Sequence, residues 1–398
     1  MRGAVLGSAA EVGAAFFVLG CTSFGGPVAH VGYIRAECVD KRGWLGDDDY
    51  ADLVALCQFL PGPASSQIVF AIGMQRAGLL GALAASVGFL LPSAVMMIAF
   101  AYGLGALGEL RHAGWLHGLK IAAVAVVAQA VWAMGVKLCP DRPRATLCML
   151  AAAVTLSFQG ALGQIGVILG GAVIGWWLFR GLPAPQRPAA AARVKGHSGA
   201  LLALLAFAVL LVAPRLLAVA TGDRTLAVFD ALYRPGALVF GGGHVVLPLL
   251  REAIVPRGWM TDDAFLAGYG AAQAVPGPLF SFAGYLGTVT SGGHHAWLGG
   301  VGALLAIFLP GWLMVAGALP FWGQLRAKAW IQAALRGANA AVVGVLLAAL
   351  YTPVLTEGVK NPRDAAAAVV AFGLLERWKT PPWAVVLLTA AAGQWLLR

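Results

Sequence analysis

The segment CQFLPGPASSQ, residues 57–67, places a Pro-Gly-Pro turn inside an apolar stretch that runs from residue 50 to residue 73. A second Pro-Gly-Pro stands at residues 276–278, within the apolar stretch 262–289. Proline blocks a helix interior but suits a first turn, so each motif predicts the end of one helix and the start of another. Each arm of about ten residues reaches about 15 Å, half the thickness of a bilayer core. The motifs therefore predict spans that are broken near the membrane midplane.

The two Pro-Gly-Pro motifs belong to an internal repeat. Three motifs recur in one order: FGGP, RGWL and PGP begin at residues 24, 42 and 61, and FGGG, RGWM and PGP begin at residues 240, 257 and 276. The spacing from RGW to PGP is the same in both copies. We expect three parts: a first repeat over residues 1–180, a basic linker with one extra transmembrane segment over 181–227, and a second repeat over 228–398.

The composition places the chain in a membrane. Hydrophobic residues make up 60% of it and charged residues 11%, with a mean hydropathy of +0.81. Soluble domains carry about a quarter charged residues, so a water-soluble globular fold is excluded. The apolar segments predict an all-α polytopic membrane protein with about 12–13 transmembrane segments. Because one extra segment, 200–221, separates the copies, we expect two inverted repeats with broken helices at the midplane.

The charge of the chain also follows from a membrane topology. The net charge is +10, and most of the basic excess lies in short loops, as it does on the cytoplasmic side of membrane proteins. We therefore expect the N-terminus and the linker 181–199 in the cytoplasm, the lipid bilayer as the surroundings and no nucleic-acid partner. The five cysteines show no CxxC spacing, which argues against a metal site or a disulfide framework.

Several of these motifs resemble the signature of the chromate ion transporter family in its long, two-domain form. They are TSFGGP (22–27), His30, RGWL (42–45) and CQFLPGPASSQ (57–67) in the first copy, and FGGGH (240–244) and AVPGP (274–278) in the second. The resemblance covers nearly the whole chain and is strongest in the first repeat. It implies a multi-pass carrier of the inner membrane that exports chromate and confers chromate resistance, without a cofactor.

The chemistry of the breaks fits an anion. A half-helix that starts near the midplane presents free N–H groups and a positive dipole end, and glycines let an oxyanion approach the backbone. The prolines that we expect at the helix breaks are Pro27, Pro61, Pro63, Pro276 and Pro278. The candidate substrate-binding residues are Ser23, Gly25, Gly26, His30, Gln58, Gly62, Ser65, Ser66, Gln67 and Lys120 in the first repeat, and Gly241, Gly242, His244, Gln273, Gly277, Ser281 and Asn339 in the second.

Several of these assignments have a structural alternative. Lys120 lies in an apolar run and is costly to bury, but its long stem could carry the ammonium to the interface. The glutamines could bind the oxyanion or hydrogen-bond to a neighbouring helix. The arginines at the span ends could line vestibules or anchor the topology; they are Arg35, Arg42, Arg251 and Arg257.

The function also has alternatives. Sulfate shares the charge and shape of chromate, so a sulfate or related oxyanion transporter, working in uptake or exchange, stays open, as does an anion channel. No enzyme is expected, because the GxGxxG match at 103–108 has no βαβ context and GHSG at 196–199 lies in the linker. The spans hold almost no deep carboxylate, and proton relays usually need one, so the sequence favours voltage-driven over proton-coupled transport. The oligomeric state stays open, with a homodimer as one possibility.

Overall fold

The computed structural model describes residues 8–24, 26–106, 114–158, 161–181, 197–239, 246–322 and 328–395. In these parts the chain is helical and contains no β-strand, which confirms the all-α class. The first repeat contains α1 (Ala9–Thr22), α2 (Gly26–Arg35), α3 (Asp47–Phe59), α4 (Ala64–Ala106), α5 (Gly114–Leu138), α6 (Arg142–Ser157) and α7 (Ala161–Phe179). After α8 (His197–Thr221), the second repeat contains α9 (Arg224–Leu238), α10 (Val246–Ile254), α11 (Asp262–Ala274), α12 (Phe282–Ser291), α13 (Ala296–Ala318), α14 (Ala329–Ala349), α15 (Pro362–Glu376) and α16 (Pro382–Trp395).

Short turns extend some of these helices. A π-helical turn, Ala36–Lys41, continues α2, and another, Leu350–Leu355, continues α14 into Thr356–Gly358. Single 3₁₀ turns, Leu279–Ser281 and Leu319–Phe321, precede α12 and follow α13. Helix α4 is broken at Ala77 and Gly78, whose backbone angles are not helical, so it has two arms, residues 64–76 and 79–106. The two arms of α4 therefore correspond to the separate helices α12 and α13.

Five helices in the described part of the chain are long and apolar enough to cross a membrane. They are Ala64–Leu104, Gly114–Leu138, Ser198–Thr221, Ala296–Phe321 and Ala329–Gly358. Several of the remaining helices begin at a side-chain cap, which satisfies N–H groups of the first turn. The capping residues include Ser8 before α1, Asp141 before α6, Asp223 before α9, Thr261 before α11 and Asn361 before α15.

The broken segments of the first repeat turn back on themselves. In a straight broken helix, Glu11 and Arg42 would be about 45 Å apart, yet their side chains form an ion pair at 3.8 Å. Likewise, Arg76 at the end of the first arm of α4 lies over the ring of Trp44, which precedes α3, at 5.1 Å. The pairs α1–α2 and α3–first arm of α4 are therefore helical hairpins that start and end at one end of the molecule. We call this end, which holds Glu11, Arg42 and Trp44, face A.

The second repeat forms the same two hairpins. Nη1 of Arg257 lies 3.5 Å from the carbonyl oxygen of Ala227, so α10 returns along α9. Tyr285 Oη donates to the carbonyl oxygen of Ala264 at 2.9 Å, where a straight arrangement would separate these residues by about 30 Å. The predicted breaks are thus present in both repeats, but the arms lie side by side instead of in line, because contacts between the arms fix the direction after each break. We call the end that holds Ala227, Arg257 and Thr290 face B.

The two repeats run in opposite directions. The second arm of α4 ends at face B, where Tyr102 Oη donates to the carbonyl oxygen of His294 and accepts from the amide of Trp297, both at 3.0 Å. Helix α13 starts there and ends at face A, where Trp322 Nε1 donates to Asp52 Oδ1 at 3.3 Å. The hairpins of the first repeat therefore enter from face A and those of the second from face B, as expected for inverted repeats.

Helix α8 provides the crossing that inverts the second repeat. Near its start, Leu204 lies against Gly317 at the face A end of α13. Just beyond its end, Arg224 donates to the carbonyl oxygen of Thr290 at face B, at 3.0 Å. Only 6% of the most apolar 18-residue stretch of α8 is buried inside the molecule, so most of this helix faces outward. The boundaries of the three parts, 1–180, 181–227 and 228–398, stay a prediction.

Candidate functional site

The tips of the hairpins meet in crosswise pairs between the repeats. The amide of Gly62 donates to the carbonyl oxygen of Val239, and the amide of Gly277 donates to the carbonyl oxygen of Ser23, both at 2.8 Å. Ser23 and Val239 are equivalent positions, because each precedes the phenylalanine of a repeated FGG motif. Each Pro-Gly-Pro turn is thus held by the glycine break of the other repeat. We call this meeting point of Ser23, Gly62, Val239 and Gly277 the tip junction.

The long helices pass beside the tip junction at equivalent positions. A Cβ on Gly62 would lie 3.1 Å from Cα of Gly311, and a Cβ on Gly277 would lie 3.0 Å from Oγ of Ser93. Ser93 and Gly311 each follow the proline of a repeated FL(L)P motif, on α4 and α13. Both turn glycines have a positive φ, +126° at Gly62 and +98° at Gly277, which favours glycine. The junction therefore has the same backbone plan in both repeats.

Helix N-termini surround the junction. Helix α2 starts at Gly26, α4 starts at Ala64, directly after the first Pro-Gly-Pro, and the 3₁₀ turn before α12 starts at Leu279, directly after the second. The first N–H groups of a helix have no partner within it, and the dipole is positive at this end. These termini give the junction a positive potential without a buried cation, which suits an anion.

His30 lies at the tip of the first hairpin and is fully buried. Its Nε2 is 3.2 Å from the carbonyl oxygen of Ser23, and its ring meets Phe89 edge-on at 5.5 Å between centroids. A carbonyl oxygen only accepts, so Nε2 carries the hydrogen of this bond. Nδ1 of His30 and Oγ of Ser23 are both buried without a hydrogen-bond partner. Since buried polar atoms in proteins normally have partners, this pair is suited to a ligand or water.

The start of α4 adds further buried polar groups. Ser65, Ser66 and Gln67 are all buried, and Oγ of Ser66 has no partner. Nε2 of Gln67 donates to the carbonyl oxygen of Pro61 at 2.8 Å and lies 3.4 Å from that of Gly311. The amide of Gln67 therefore ties the Pro-Gly-Pro turn to α13, and only its Oε1 stays without a partner. Gln67 positions the turn in this conformation, while Ser66 offers a free hydroxyl.

The second repeat contributes fewer polar side chains after its Pro-Gly-Pro turn than the first repeat does. Ser281 is buried in the 3₁₀ turn, and Nε2 of Gln273 is buried without a partner. Phe280 and Phe282 occupy the positions that Ser65 and Gln67 hold in the first repeat. The break prolines Pro27, Pro61, Pro63, Pro276 and Pro278 all lie at the hairpin tips. Four predicted site residues lie outside the described residues: Gly25, Gly241, Gly242 and His244.

Three predicted site residues lie away from the junction. Gln58 is exposed on α3, and Asn339 is half-buried on α14. Lys120 lies near face B, where its Nζ forms an ion pair with Asp263 Oδ1 at 2.7 Å. It faces a cavity of about 1070 Å³ at this end of the molecule, which we call the face B cavity. Its polar lining includes Tyr102, His117, Lys120, Asp263 and His294.

The arginines at the span ends form equivalent contacts on opposite faces. Arg35 pairs with Asp47 at face A, and Arg251 pairs with Asp262 at face B. The guanidinium groups of Arg42 and Arg257 lie over the rings of Trp44 and Trp259, at 5.1 and 4.9 Å. These contacts hold the loop after each first hairpin, so the arginines anchor the hairpins at the surface. No cluster of three metal-ligating side chains occurs within the described ranges.

Sequence reasoning missed several residues of this centre. Val239, Ser93 and Gly311 carry no chemical signature of their own, although each borders a repeated motif and could have been found by aligning the two copies. The ion pair of Lys120 with Asp263 and the pair of His117 with Asp364, at 2.9 Å, each join residues that are far apart in the chain. Spacing along one helix cannot reveal such partners.

Comparison with known proteins agrees with the motifs. The model of the family described as chromate transporter matches residues 10–176 and 226–394, one match in each repeat. A chromate transport protein of Pseudomonas aeruginosa is 31% identical over 96% of this chain and 91% of its own. A chromate transport protein of Cupriavidus metallidurans is 27% identical over 92% of this chain and 87% of its own.

A more distant relative, an uncharacterized transporter of Methanocaldococcus jannaschii, is 24% identical over 86% of this chain and 83% of its own. No solved structure matches the chain significantly. The two family matches together cover more than half of the residues and fall on the inverted repeats whose hairpins form the tip junction. The chain is therefore a multi-pass membrane protein that belongs to the chromate transporter family.

Proposed function

We propose that this protein is a secondary transporter that exports chromate across the bacterial inner membrane and thereby confers chromate resistance. The tip junction carries the proposal: hairpins inserted from opposite faces meet there, tip to tip, through the bonds Gly62–Val239 and Gly277–Ser23. A site held between inverted repeats can open to one face at a time when one repeat moves against the other. Such alternating access distinguishes a carrier from a channel.

The chemistry of the junction supports an oxyanion substrate. The backbone N–H groups at the starts of α2 and α4 offer donors to oxyanion oxygens, as helix N-termini do in many anion sites. The free hydroxyls of Ser23 and Ser66 can add side-chain donors, and Nδ1 of His30 can accept from a hydroxyl or a water. Because both Nε2 hydrogens of Gln67 face carbonyl oxygens, we assign this residue to positioning the turn.

The two repeats contribute unequally to the proposed site. The first repeat supplies Ser66 and Gln67, where the second repeat has Ser281 and Phe282. Because an aromatic ring replaces the amide, the helix start after the second Pro-Gly-Pro turn is less polar than the one after the first. We infer that one oxyanion binds per chain, mainly against the hairpins of the first repeat, while the second repeat closes the site.

The proposed direction of transport rests on the orientation of the chain and on the membrane potential. Helix α1 starts and α7 ends at face A, so the basic linker joins the repeats there, and we place face A in the cytoplasm. A dianion that leaves a negative-inside cell gains about 4.6 kcal/mol per 100 mV, twice the value for one charge. This driving force suffices for export without a coupled proton.

Transport by the purified protein in liposomes tests the proposal. Chromate and sulfate are offered separately under imposed voltage, with and without a pH gradient. We expect saturable, voltage-dependent movement of chromate. Saturable transport of sulfate alone would reassign the substrate, unitary currents would indicate an anion channel, and no movement of either anion would refute the proposal.

A further inference from the structure

The face B cavity contains a cation whose counter-ion is far more exposed to solvent than the cation itself. The side chain of Lys120 is 13% exposed, whereas that of its partner Asp263 is 64% exposed. Asp263 lies in the first turn of α11, where the helix dipole stabilises a carboxylate without help from Lys120. Because the carboxylate of this pair stays largely hydrated while the ammonium is mostly shielded from solvent, another anion can compete for the lysine. From this arrangement we propose that Lys120 binds the transported tetrahedral oxyanion in the face B cavity, in exchange for Asp263.

The surroundings of Lys120 favour an anion. Helices α5, α11 and α13 all begin at this cavity, which is lined by Leu116 from the first turn of α5, by Thr261, the N-cap of α11, and by Ala296, the first residue of α13. Their positive dipole ends face the cavity. His117 is paired with the fully buried Asp364 at 2.9 Å, so a charge on this imidazole is already balanced. Lys120 is the one lysine or arginine among the described residues that line this cavity.

The cavity lies between face B and the level of the tip junction. Ala101 lines the cavity, and Ser93, two turns earlier on α4, lies beside Gly277 at the junction. Eight helical residues separate these levels by about 12 Å. An oxyanion that moves from the junction to face B through this cavity would pass Lys120. Asp263 then replaces it on the lysine, which assists release.

The positions equivalent to Lys120 and Asp263 in the repeat do not pair a cation with a carboxylate. Asn339 stands at the position of Lys120 in the repeat, and Asp48 stands at the position of Asp263. A neutral amide cannot form the corresponding ion pair. The inference therefore predicts an effect that is confined to one face. It rests on the proposed function, because the oxyanion must be a substrate.

The test measures the half-saturation concentration for chromate offered at each face, in right-side-out and inside-out vesicles. We expect Lys120→Gln to raise the value at face B at least fivefold and to leave the value at face A unchanged. Asp263→Asn removes the competitor and should lower the value at face B two- to fivefold. Lys137→Gln, at the face A end of the same helix, is the matched control and should change neither value.

The outcomes separate the two proposals. Wild-type vesicles that transport chromate while both variants behave like wild type would overturn the inference and leave the proposed function standing. Equal changes at both faces would also overturn it, because a structural role of Lys120 would affect both. If Lys120→Gln fails to fold, the half-saturation concentration of Asp263→Asn at face B still tests the inference, and an unchanged value would overturn it. Wild-type vesicles that transport no oxyanion would refute the proposed function and this inference with it.

Discussion

The Pro-Gly-Pro turn of the first repeat gives the sharpest test of the tip junction. In Gly62→Ala, the new Cβ would lie 2.7 Å from Nε2 of Gln67 and 3.1 Å from Cα of Gly311. A side chain at φ +126° costs about 1–3 kcal/mol. Displacing the amide of Gln67 from Pro61 costs about 1 kcal/mol more.

The sum of about 2–4 kcal/mol lowers the equilibrium ratio of the native turn to its alternative conformations by about 30-fold or more. We expect chromate transport by Gly62→Ala in proteoliposomes to fall at least tenfold, while the protein still inserts and elutes as a single species. Gly277→Ala should lose less, because its Cβ would meet Oγ of Ser93 at 3.0 Å, and this side chain can rotate away.

Gly43→Ala provides the matched control. Gly43 also has a positive φ, +58°, but nothing lies within 4 Å of its Cβ. This variant carries backbone strain without a clash and should transport within twofold of wild type. Normal transport by Gly62→Ala, with an unchanged half-saturation concentration, would refute the assignment of substrate binding to the junction.

Three further predictions concern topology, binding and energetics. In a background without the five native cysteines, Asp48→Cys and Pro256→Cys should react with an impermeant reagent from opposite sides of the membrane; labelling from one side would contradict the inverted repeats. Ser66→Ala should raise the half-saturation concentration for chromate several-fold, yet leave thermal stability unchanged or higher, because the lost hydroxyl has no partner in the fold; a fall in stability would indicate a structural role. Export should survive collapse of the pH gradient at fixed voltage, and His30→Gln should weaken binding without removing voltage dependence; loss of transport with the gradient would show proton coupling.

The sequence allowed the repeat, the helix breaks and the extra crossing to be predicted, because each depends on local chemistry. Proline and glycine determine where a helix ends, but not the direction in which the chain continues. That direction depends on contacts such as Arg76 with Trp44 and Tyr285 with Ala264, which join distant residues. The breaks were therefore correctly placed, but the return of the chain after each break was not predicted.

The candidate site was predicted with similar limits. The motifs around Ser23, Gly62 and Gly277 lie at one junction, because equivalent residues of inverted repeats converge near a twofold axis. The apolar run around Lys120 indicated a lysine that is costly to bury without a partner. That partner, Asp263, is on another helix and could not be inferred from spacing. Gln67 illustrates a different limit, since only its hydrogen bonds show that its amide donors are already used.

The crosswise pairing of the turns also has a consequence for biosynthesis. When the ribosome has completed the first repeat, the carbonyl of Ser23 can already accept from His30, but the amide of Gly62 still lacks the partner that Val239 later provides. Unpaired backbone groups are costly in hydrocarbon, so the first repeat must wait in a hydrated or assisted state until the second is inserted. A nascent chain that stops between the repeats thus exposes its hairpin tips, which gives membrane quality control a means of recognising incomplete copies.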